Sequence, residues 1–304
     1  MTEISMKHLR YFDALARWGH FGRAADACAI TQPALSLQIK ELEEILGAPL
    51  VERGARQIRL TGFGELFAER SRDILRAVED LGALARTAGS PFAGRLRLGV
   101  IPTVAPYLLP AVIRDLSARH PDLDLRPREA VTRKLVDDLL DGRLDAAIVA
   151  LPISEPSLHE EALFDEEFLL VRPATDAAEP TPDAEMLRTM RLLLLEEGHC
   201  FRDQAISFCK ITPSRSSDLI EGSSLATLVQ MVGAGIGVTL IPEMAVPVET
   251  RSDAVSVVRL SGARPSRTIG MVWRKSSPLA GAFSTIAALV GRIGIGDRQG
   301  DARC

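Results

Sequence analysis

The chain contains little cysteine and has no long apolar segment. Four cysteines occur among 304 residues, and the formal net charge is −4 at pH 7. The run of four leucines, Leu192–Leu195, is far shorter than the roughly 20 apolar residues that span a bilayer. The first residues also lack the apolar centre of a signal peptide. We therefore expect an unexported, cytoplasmic protein that has no membrane partner.

The low cysteine content makes the position of each cysteine informative. In a reducing cytosol, cysteine pairs are more often redox-active or metal-binding than structural. Cys28 lies in an apolar helical pattern that predicts core packing, and Cys304 is the last residue. Cys200 and Cys209 are nine positions apart, so in a helix their Cα atoms would lie about 13 Å apart, whereas a disulfide needs them within roughly 7 Å. If these thiols join, the segment between them must refold, as in a switch.

Short segments with helical apolar spacing fill the beginning of the chain. Residues 7–17 and 21–27 each have the period of a helix, and a third helix is predicted to begin at Thr31, a good N-cap. Pro33 is tolerated in the first turn of that helix. Two short helices around a tight turn, the second opening with exposed polar residues, are typical of a helix-turn-helix. On spacing alone, another small helical bundle fits equally well.

A basic segment and a long helix follow. Arg53, Arg56 and Arg59 alternate with apolar residues, as expected of a β-wing that carries cations toward phosphates. Thr61 then caps a predicted helix over residues 62–87, a rod of about 39 Å. The helix has an apolar stripe from Leu66 to Leu84 that finds no partner nearby in the sequence, and a second copy of the chain would supply one.

These segments resemble the winged helix-turn-helix of LysR-type transcriptional regulators. The resemblance is carried by Phe21–Ala25, Thr31–Ser36, Gln38–Ile39, Leu42–Glu43, Leu46–Gly47, Glu52–Arg53 and Leu60–Thr61. It implies binding to double-stranded promoter DNA, through Arg23, Thr31, Gln32, Pro33, Ser36, Arg53 and Arg56. Gln32, Pro33 and Ser36 would enter the major groove, and the two wing arginines would meet the DNA backbone. Leu37 departs from many relatives, which carry arginine there, so base readout at this position must be apolar or absent.

Predicted strands and helices alternate after a Gly-Ser-Pro loop at residues 89–91, which favours a mainly parallel sheet. The glycines around Gly235 follow a predicted helix and precede a strand, the reverse of a dinucleotide-binding fingerprint, so they predict a tight turn. The predicted strands cover about 96–101, 123–130, 146–149, 166–171, 192–195 and 237–241, and the helices about 105–119, 132–141 and 223–234.

The resemblance also implies a domain organisation. The fold class is α/β with an all-α, winged N-terminal domain, followed by a long linker helix and a two-lobed regulatory domain like a periplasmic binding protein. The predicted domains are the winged helix-turn-helix at 1–61, a dimerising linker helix at 62–90 and a redox-sensing regulatory domain at 91–304. Within the last domain, lobe I covers 91–165 and 267–304, and lobe II covers 166–266.

The surroundings of Cys200 leave three interpretations open. A zinc site from His199, Cys200 and Cys209 would have only three ligands and no paired Cys-x-x-Cys to support it. Apolar neighbours fit buried, inert cysteines. A reactive thiolate is favoured by His199 and Arg202, because neighbouring cations stabilise it. A thiolate can attack peroxide to give a sulfenic acid, and a second thiol can condense with that acid to form a disulfide.

The segments Leu195–Ala205, Phe208–Cys209, Ile101–Pro110, Leu163–Glu166 and Arg267–Gly270 resemble those of the peroxide-responsive LysR-type regulators. The resemblance implies hydrogen peroxide as the signal, Cys200 as the peroxidatic thiol and Cys209 as the resolving thiol. It implies a peroxide site made of Thr103, Thr132, His199, Asp203 and Arg267. It implies neither a metal nor a cofactor.

The expected function is therefore a redox-switched transcriptional activator rather than an enzyme. Peroxide would oxidise Cys200, a disulfide to Cys209 would refold the segment, and the packing of a homodimer or homotetramer on DNA would change. RNA polymerase is a further partner of such an activator. A regulator that binds a small organic effector between its lobes remains an alternative. A thiol peroxidase that uses Cys200 catalytically is the alternative from another class.

Overall fold

The computed structural model describes residues 3–52, 58–87, 94–209 and 220–300. Arg53, Arg56 and Cys304 lie outside these ranges, and the side chain of Leu84 is also outside the description. The chain divides into two compact units, Met1–Ala85 and Arg86–Cys304. The finer domain and lobe boundaries given above stay predictions.

The first unit is helical. Its helices are α1 (Met6–Trp18), α2 (Phe21–Ala27), α3 (Gln32–Leu46) and α4 (Gly62–Thr87). A bridge between Val51 and Leu60 closes the base of the segment that was predicted as a wing. The predictions of helices over residues 7–17, 21–27 and 62–87 are confirmed, the first to within one residue at each end.

Local hydrogen bonds fix the ends of these helices. Ser5 and His8 form a reciprocal capping box at the start of α1. The backbone N–H of Gly64 donates to the Thr61 hydroxyl at 2.9 Å, so Thr61 caps α4 as predicted. Thr31 occupies the N-cap of α3, but its hydroxyl makes no capping hydrogen bond. The carboxylate of Glu43 on α3 accepts from the backbone N–H groups of Leu50, at 2.7 Å, and of Val51, which ties α3 to the following segment.

The core of the first unit is shared by all four helices. Its fully buried centre includes Phe12, Leu15, Leu35 and Leu42. Phe67 of α4 packs on this core, with its ring centroid 5.5 Å from that of Phe12. The prediction of an unpartnered stripe on α4 is therefore wrong for Phe67. It holds for the exposed side chains Leu66, Ile74, Val78 and Leu81.

The second unit alternates strands and helices. The strands are β1 (Gly94–Val100), β2 (Leu123–Glu129), β3 (Ala146–Leu151), β4 (Leu158–Pro173), β5 (Leu192–Leu195), β6 (Ile220–Gly222), β7 (Val238–Pro242), β8 (Val255–Val258) and β9 (Ser266–Arg274). The helices are α5 (Ala105–Arg119), α6 (Thr132–Leu140), α7 (Ala184–Leu187), α8 (Cys200–Cys209), α9 (Leu225–Gly233), α10 (Val246–Glu249) and α11 (Ala280–Gly300). The last helix was not predicted from the sequence.

The strands form one mixed sheet in the order β2-β1-β3-β9-β4-β7-β5-β6, with β8 paired to β4. The expectation of a mainly parallel sheet is wrong. β1 pairs in parallel with β2 and β3, and β5 with β6 and β7, but every pair that includes β4 or β9 is antiparallel. The reason is that β9, which comes from near the end of the chain, lies between β3 and β4 and runs antiparallel to both, while β7 and β8 also pair antiparallel with β4. β4 and β9 thereby join a first lobe, built on β1–β3, to a second lobe, built on β5–β7.

Asp138 fixes α6 in the first lobe. Its carboxylate is fully buried and accepts from Lys134 Nζ at 2.8 Å and from Arg143 Nε at 2.6 Å. Burial opposes ionisation, but the hydrogen bonds from these two cations lower the pKa of Asp138 below its ordinary value. Because Thr132 is the first residue of α6, this anchor also positions Thr132.

The tight turn predicted around Gly235 is confirmed. Gly235 has a φ of 77°, in the left-handed region that favours glycine. A Cβ at Gly237 would overlap the backbone carbonyl oxygen of Arg191, so the chain passes too close there for a side chain. Within the described ranges, no helix is long and apolar enough to cross a membrane.

Gly64→Ala is expected to destabilise the first unit. A Cβ at this position would collide with the backbone carbonyl of Leu50, and relieving such overpacking costs about 1–3 kcal/mol. Gly62→Ala is the matched control, because a Cβ there meets nothing within 4 Å. Hydrogen exchange of the full chain should be faster in α3 and in the first turns of α4 in the first variant alone. Equal exchange in the two variants would contradict the close approach of Gly64 to Leu50.

Candidate redox site

Cys200 is the first residue of α8, and Cys209 is the last. The chain leaves β5 at Leu195 and turns into α8 through Gly198, whose φ of 98° favours glycine. Since the whole segment between the cysteines is helical, the two Cα atoms lie about 13 Å apart, well beyond disulfide reach. Both thiols are free. The segment is thus in the helical state in which a Cys200–Cys209 disulfide would require it to refold.

A small pocket of about 160 Å³ opens beside Cys200. It lies at the carboxyl ends of β1, β2 and β5, which is where open α/β sheets bind their ligands. It thus joins predicted site residues from both lobes, namely Thr103, Thr132, His199 and Cys200. The full lining is Ile101, Pro102, Thr103, Val131, Thr132, His199 and Cys200.

Arg267 reaches the pocket through Thr103. Its guanidinium Nη1 donates to Thr103 Oγ1 at 2.7 Å, and Nη2 donates to the backbone oxygen of Thr103 at 3.1 Å. The same guanidinium binds Glu166 Oε2 at 2.8 and 2.9 Å, and both side chains of this ion pair are fully buried. Arg267 and Glu166 are opposite each other on β9 and β4. Sequence reasoning missed Glu166, whose only signal was its place in a segment that resembles the peroxide-responsive regulators.

Two hydroxyl groups line the pocket, and they differ in their hydrogen bonds to the rest of the protein. Because Thr103 Oγ1 accepts from Arg267, its own hydrogen is available to donate to a bound molecule. Thr132 Oγ1 is buried and has no hydrogen-bond partner among the residues that the structure describes. A buried hydroxyl without a partner is costly, and a bound polar molecule would satisfy it.

Aromatic rings connect the same arginine to α8. The guanidinium carbon of Arg267 lies 5.5 Å from the ring centroid of Phe201 and 6.0 Å from that of Phe168. The two rings meet edge to face at 4.6 Å. Phe201 is the residue after Cys200, so these contacts hold the first turn of α8 against the buried ion pair.

Neither His199 nor Arg202 supplies an unmatched positive charge beside the Cys200 thiol. Burial lowers the pKa of His199 below its ordinary value, against the opposing effect of Glu196, so the imidazole is neutral at pH 7. The expectation of a positive charge at His199 is wrong. Arg202 donates to Glu221 at 2.6 Å and to the backbone oxygen of Leu195 at 2.9 Å, so its charge is matched elsewhere.

The position of Cys200 supplies another source of thiolate stabilisation. Cys200 opens a helix of ten residues, where free backbone N–H groups and the helix dipole favour negative charge.

Cys209 is protected at the opposite end of α8. Its side chain is 0% exposed and packs in the core of the second lobe. Burial raises the pKa of its thiol to about 11, although the charge of Arg188 opposes this. Arg188 Nε also donates to the backbone oxygen of Cys209 at 2.9 Å, which caps the end of α8. Cys209 cannot reach Cys200 unless α8 opens.

Two other predicted roles are not supported by contacts. Asp203 lies on the exposed side of α8 and outside the pocket lining, so its part in peroxide binding stays a prediction. Cys28 was expected in the core, but it is the half-buried C-cap of α2, where burial and Asp13 raise the pKa of its thiol.

Among the described residues, no group of three or more His, Cys, Asp or Glu side chains is placed to hold a metal ion.

The predicted DNA-contacting residues of the first unit share one property. Each of those in the described ranges is exposed: Arg23 on α2, Thr31 at the start of α3, and Gln32, Pro33 and Ser36 on α3. Their role in DNA binding stays a prediction, as does that of Arg53 and Arg56, which lie outside the described residues.

Comparisons with known proteins cover nearly the whole chain. Residues 6–65 match the model of the bacterial regulatory helix-turn-helix protein of the lysR family, and residues 89–292 match that of the LysR substrate binding domain. A probable hydrogen peroxide-inducible genes activator of Streptomyces viridosporus is 43% identical over 289 residues, covering 93% of this chain and 92% of that protein.

Two solved structures are similar over the same length. A full-length OxyR variant from Pseudomonas aeruginosa has a TM-score of 0.75 and 36% identity, with 96% of both chains covered. A hydrogen peroxide-bound OxyR mutant from Corynebacterium glutamicum has a TM-score of 0.66 and 34% identity, with 96% of this chain and 93% of that chain covered.

Alkylation of the reduced, folded protein is expected to separate the two thiols. At pH 8 a thiol whose pKa is raised from 9.0 to about 11 has about a hundredfold less thiolate, and Cys209 is also inaccessible. Brief treatment with iodoacetamide followed by peptide mass spectrometry should therefore label Cys200 long before Cys209. In urea, where α8 is lost, the two rates should become similar. Comparable labelling of both thiols in the folded protein would contradict the burial of Cys209.

Proposed function

This chain belongs to the LysR family of bacterial transcriptional regulators, and from that premise we propose that it senses hydrogen peroxide as OxyR proteins do and switches promoter binding through a reversible Cys200–Cys209 disulfide. One observation carries the proposal. Cys200 lines a small pocket with Thr103, Thr132 and His199 at the start of a helix whose other end buries the second thiol.

The pocket suits a small, uncharged oxidant. Hydrogen peroxide both donates and accepts hydrogen bonds, and the pocket offers the hydroxyls of Thr103 and Thr132 together with a neutral His199. The space beside Cys200 is small, which favours peroxide over the alternative of an organic effector bound at this position.

The first chemical step is attack by the Cys200 thiolate on one peroxide oxygen. The S–O bond forms as the O–O bond breaks, so sulfur is oxidised, and the second oxygen leaves as hydroxide that takes up a proton to become water. Hydrogen-bond donors aimed at the developing hydroxide lower the barrier. Thr103 is suited to this role because its oxygen is held by Arg267 and its hydrogen is free.

The second step requires α8 to open. Cys209 then leaves the apolar core, which removes the burial that raises its pKa. Its thiolate attacks the sulfur of the Cys200 sulfenic acid, the S–O bond breaks, and hydroxide leaves to become water. The product is a disulfide that the reduced helix, with about 13 Å between its terminal Cα atoms, cannot contain.

The disulfide changes DNA binding through the packing of subunits. Leu66, Ile74, Val78 and Leu81 on α4 offer an exposed apolar stripe for a second copy of the chain, in a homodimer or homotetramer. The resulting assembly binds double-stranded promoter DNA with α3 and the wing, and it acts on RNA polymerase in the cytoplasm. The disulfide stores the signal until a separate reductant removes it, so we assign no turnover and no enzymatic activity.

Cys200→Ser is expected to abolish disulfide formation and the peroxide response while leaving DNA binding intact. Cys209→Ser should still be oxidised but should stop at the sulfenic acid, which a dimedone probe traps, because the resolving thiol is absent. Mass spectrometry and promoter footprinting after near-stoichiometric peroxide would check both variants. A peroxide-shifted footprint in Cys200→Ser would refute the switch, and sustained peroxide consumption by the wild type with a dithiol reductant would instead favour a thiol peroxidase.

Thr132→Val is expected to slow oxidation of Cys200 about ten- to a hundredfold, since a hydrogen bond to a developing charge contributes about 1.5–3 kcal/mol. The variant should be at least as stable in urea as the wild type, because within the described part of the chain the Thr132 hydroxyl has no hydrogen-bond partner to lose. Thr132→Ser, which keeps the hydroxyl, is the matched control and should retain the wild-type rate. Stopped-flow oxidation by peroxide gives all three rates, and equal rates for valine and threonine would remove Thr132 from the site.

A further inference from the structure

The outward face of α3 carries an apolar patch. Leu37 is 64% exposed, and no large apolar side chain among the described residues is more exposed. Pro33 and Ala34, one turn earlier on the helix, are exposed as well. Leu37 follows Pro33 by four positions and Ala34 by three, so its side chain is next to both on one surface of the helix.

Leu37 lies at the centre of the outward face. The buried residues of α3 are Leu35, Ile39, Leu42 and Glu43. At 100° per residue, the mean direction of these four side chains is about 180° from that of Leu37. When the second helix of a helix-turn-helix lies in the major groove, the side chains opposite its buried face point to the edges of the bases.

Two polar side chains near Leu37 have partners within the helix. Gln38 Nε2 donates to Glu41 Oε2 at 2.9 Å, and Lys40 pairs with Glu44 at 3.5 Å. These side chains leave the centre of the face apolar. In the major groove, the 5-methyl group of thymine is the apolar feature that a side chain can read.

We propose that Leu37 is a specificity-determining residue that contacts the 5-methyl group of a thymine in each half of the operator. This inference rests on the proposed DNA-binding function and extends it to a base preference. Pro33 and Ala34 form the edge of the same contact. The contact makes no hydrogen bond and no phosphate contact, so it affects sequence preference without altering the salt dependence of binding.

The test removes single methyl groups from the DNA. The full-length, reduced wild-type protein selects duplexes from a randomised pool, and each thymine of the selected duplex is then replaced by deoxyuridine, which lacks only the 5-methyl group. Dissociation constants are measured for the wild type, Leu37→Ala, Leu37→Met and Ile4→Ala. Ile4 is the matched control, because it is an exposed apolar residue of the same unit outside α3.

One thymine per half-site should be sensitive to its methyl group. Its replacement should weaken wild-type binding roughly fourfold, the effect of exposing one buried methyl group. Leu37→Ala should bind the thymine duplex roughly fourfold or more weakly and should no longer distinguish thymine from deoxyuridine at that position. Leu37→Met and Ile4→Ala should distinguish them as the wild type does, and the dependence of log K on log salt should be the same for all four proteins.

Two results would overturn the inference, and they differ in what they imply. In the first, no thymine of the selected duplexes is sensitive to its methyl group, or Leu37→Ala keeps the wild-type preference at every thymine. Either outcome would remove Leu37 from base readout and leave DNA binding intact. A wild-type protein that enriches no duplex from the pool would overturn both this inference and the proposed regulator. Because Leu37 is exposed, circular dichroism should show the same folded content in every variant.

Discussion

The regulatory unit depends on one buried ion pair, between Arg267 and Glu166. Isolated charges are costly to bury, and removing one partner of a buried pair typically costs about 3–5 kcal/mol, so such a pair persists only when further hydrogen bonds complete it. Here Thr103 accepts two further hydrogen bonds from the Arg267 guanidinium. The backbone N–H of Met244 donates to the second carboxylate oxygen of Glu166 at 2.9 Å. The pair sits where β4 and β9 join the two lobes, so the same contacts that satisfy the charges also align the peptide segments that carry the pocket.

The pairing also determines the electrostatic character of the pocket. Because Glu166 matches the charge of Arg267, the guanidinium acts on the pocket as a hydrogen-bond donor to Thr103 rather than as a free cation. His199 is neutral, and Arg202 is matched by Glu221. A pocket without net positive charge does not concentrate anions, which suits an uncharged oxidant.

The sequence predicted local structure well and non-local contacts poorly. The bounds of α2, α4 and α5 follow from apolar spacing and capping within each segment. The antiparallel pairing of β4 with β9 joins residues about a hundred positions apart, and nothing in either segment specifies the partner. For the same reason Glu166 was missed and a positive charge was expected at His199, because burial and ion pairing arise only when distant segments pack. Thr103, Thr132, His199 and Cys200 came together in the pocket, whereas Asp203 is exposed.

The packing of α8 explains why, in the proposed switch, the disulfide can form only after this helix opens. α8 keeps its two thiols apart, and the same packing that buries Phe201, Ala205 and Cys209 stabilises the helix. Arg202 holds its beginning through Leu195 and Glu221, and Arg188 holds its end through the backbone of Cys209. Opening α8 must therefore release two anchors and expose apolar surface before the disulfide can form. Oxidation of Cys200 alone does not remove those contacts, so the sulfenic acid must persist until α8 opens. The stability of this one helix therefore determines how readily the sulfenic acid becomes a disulfide.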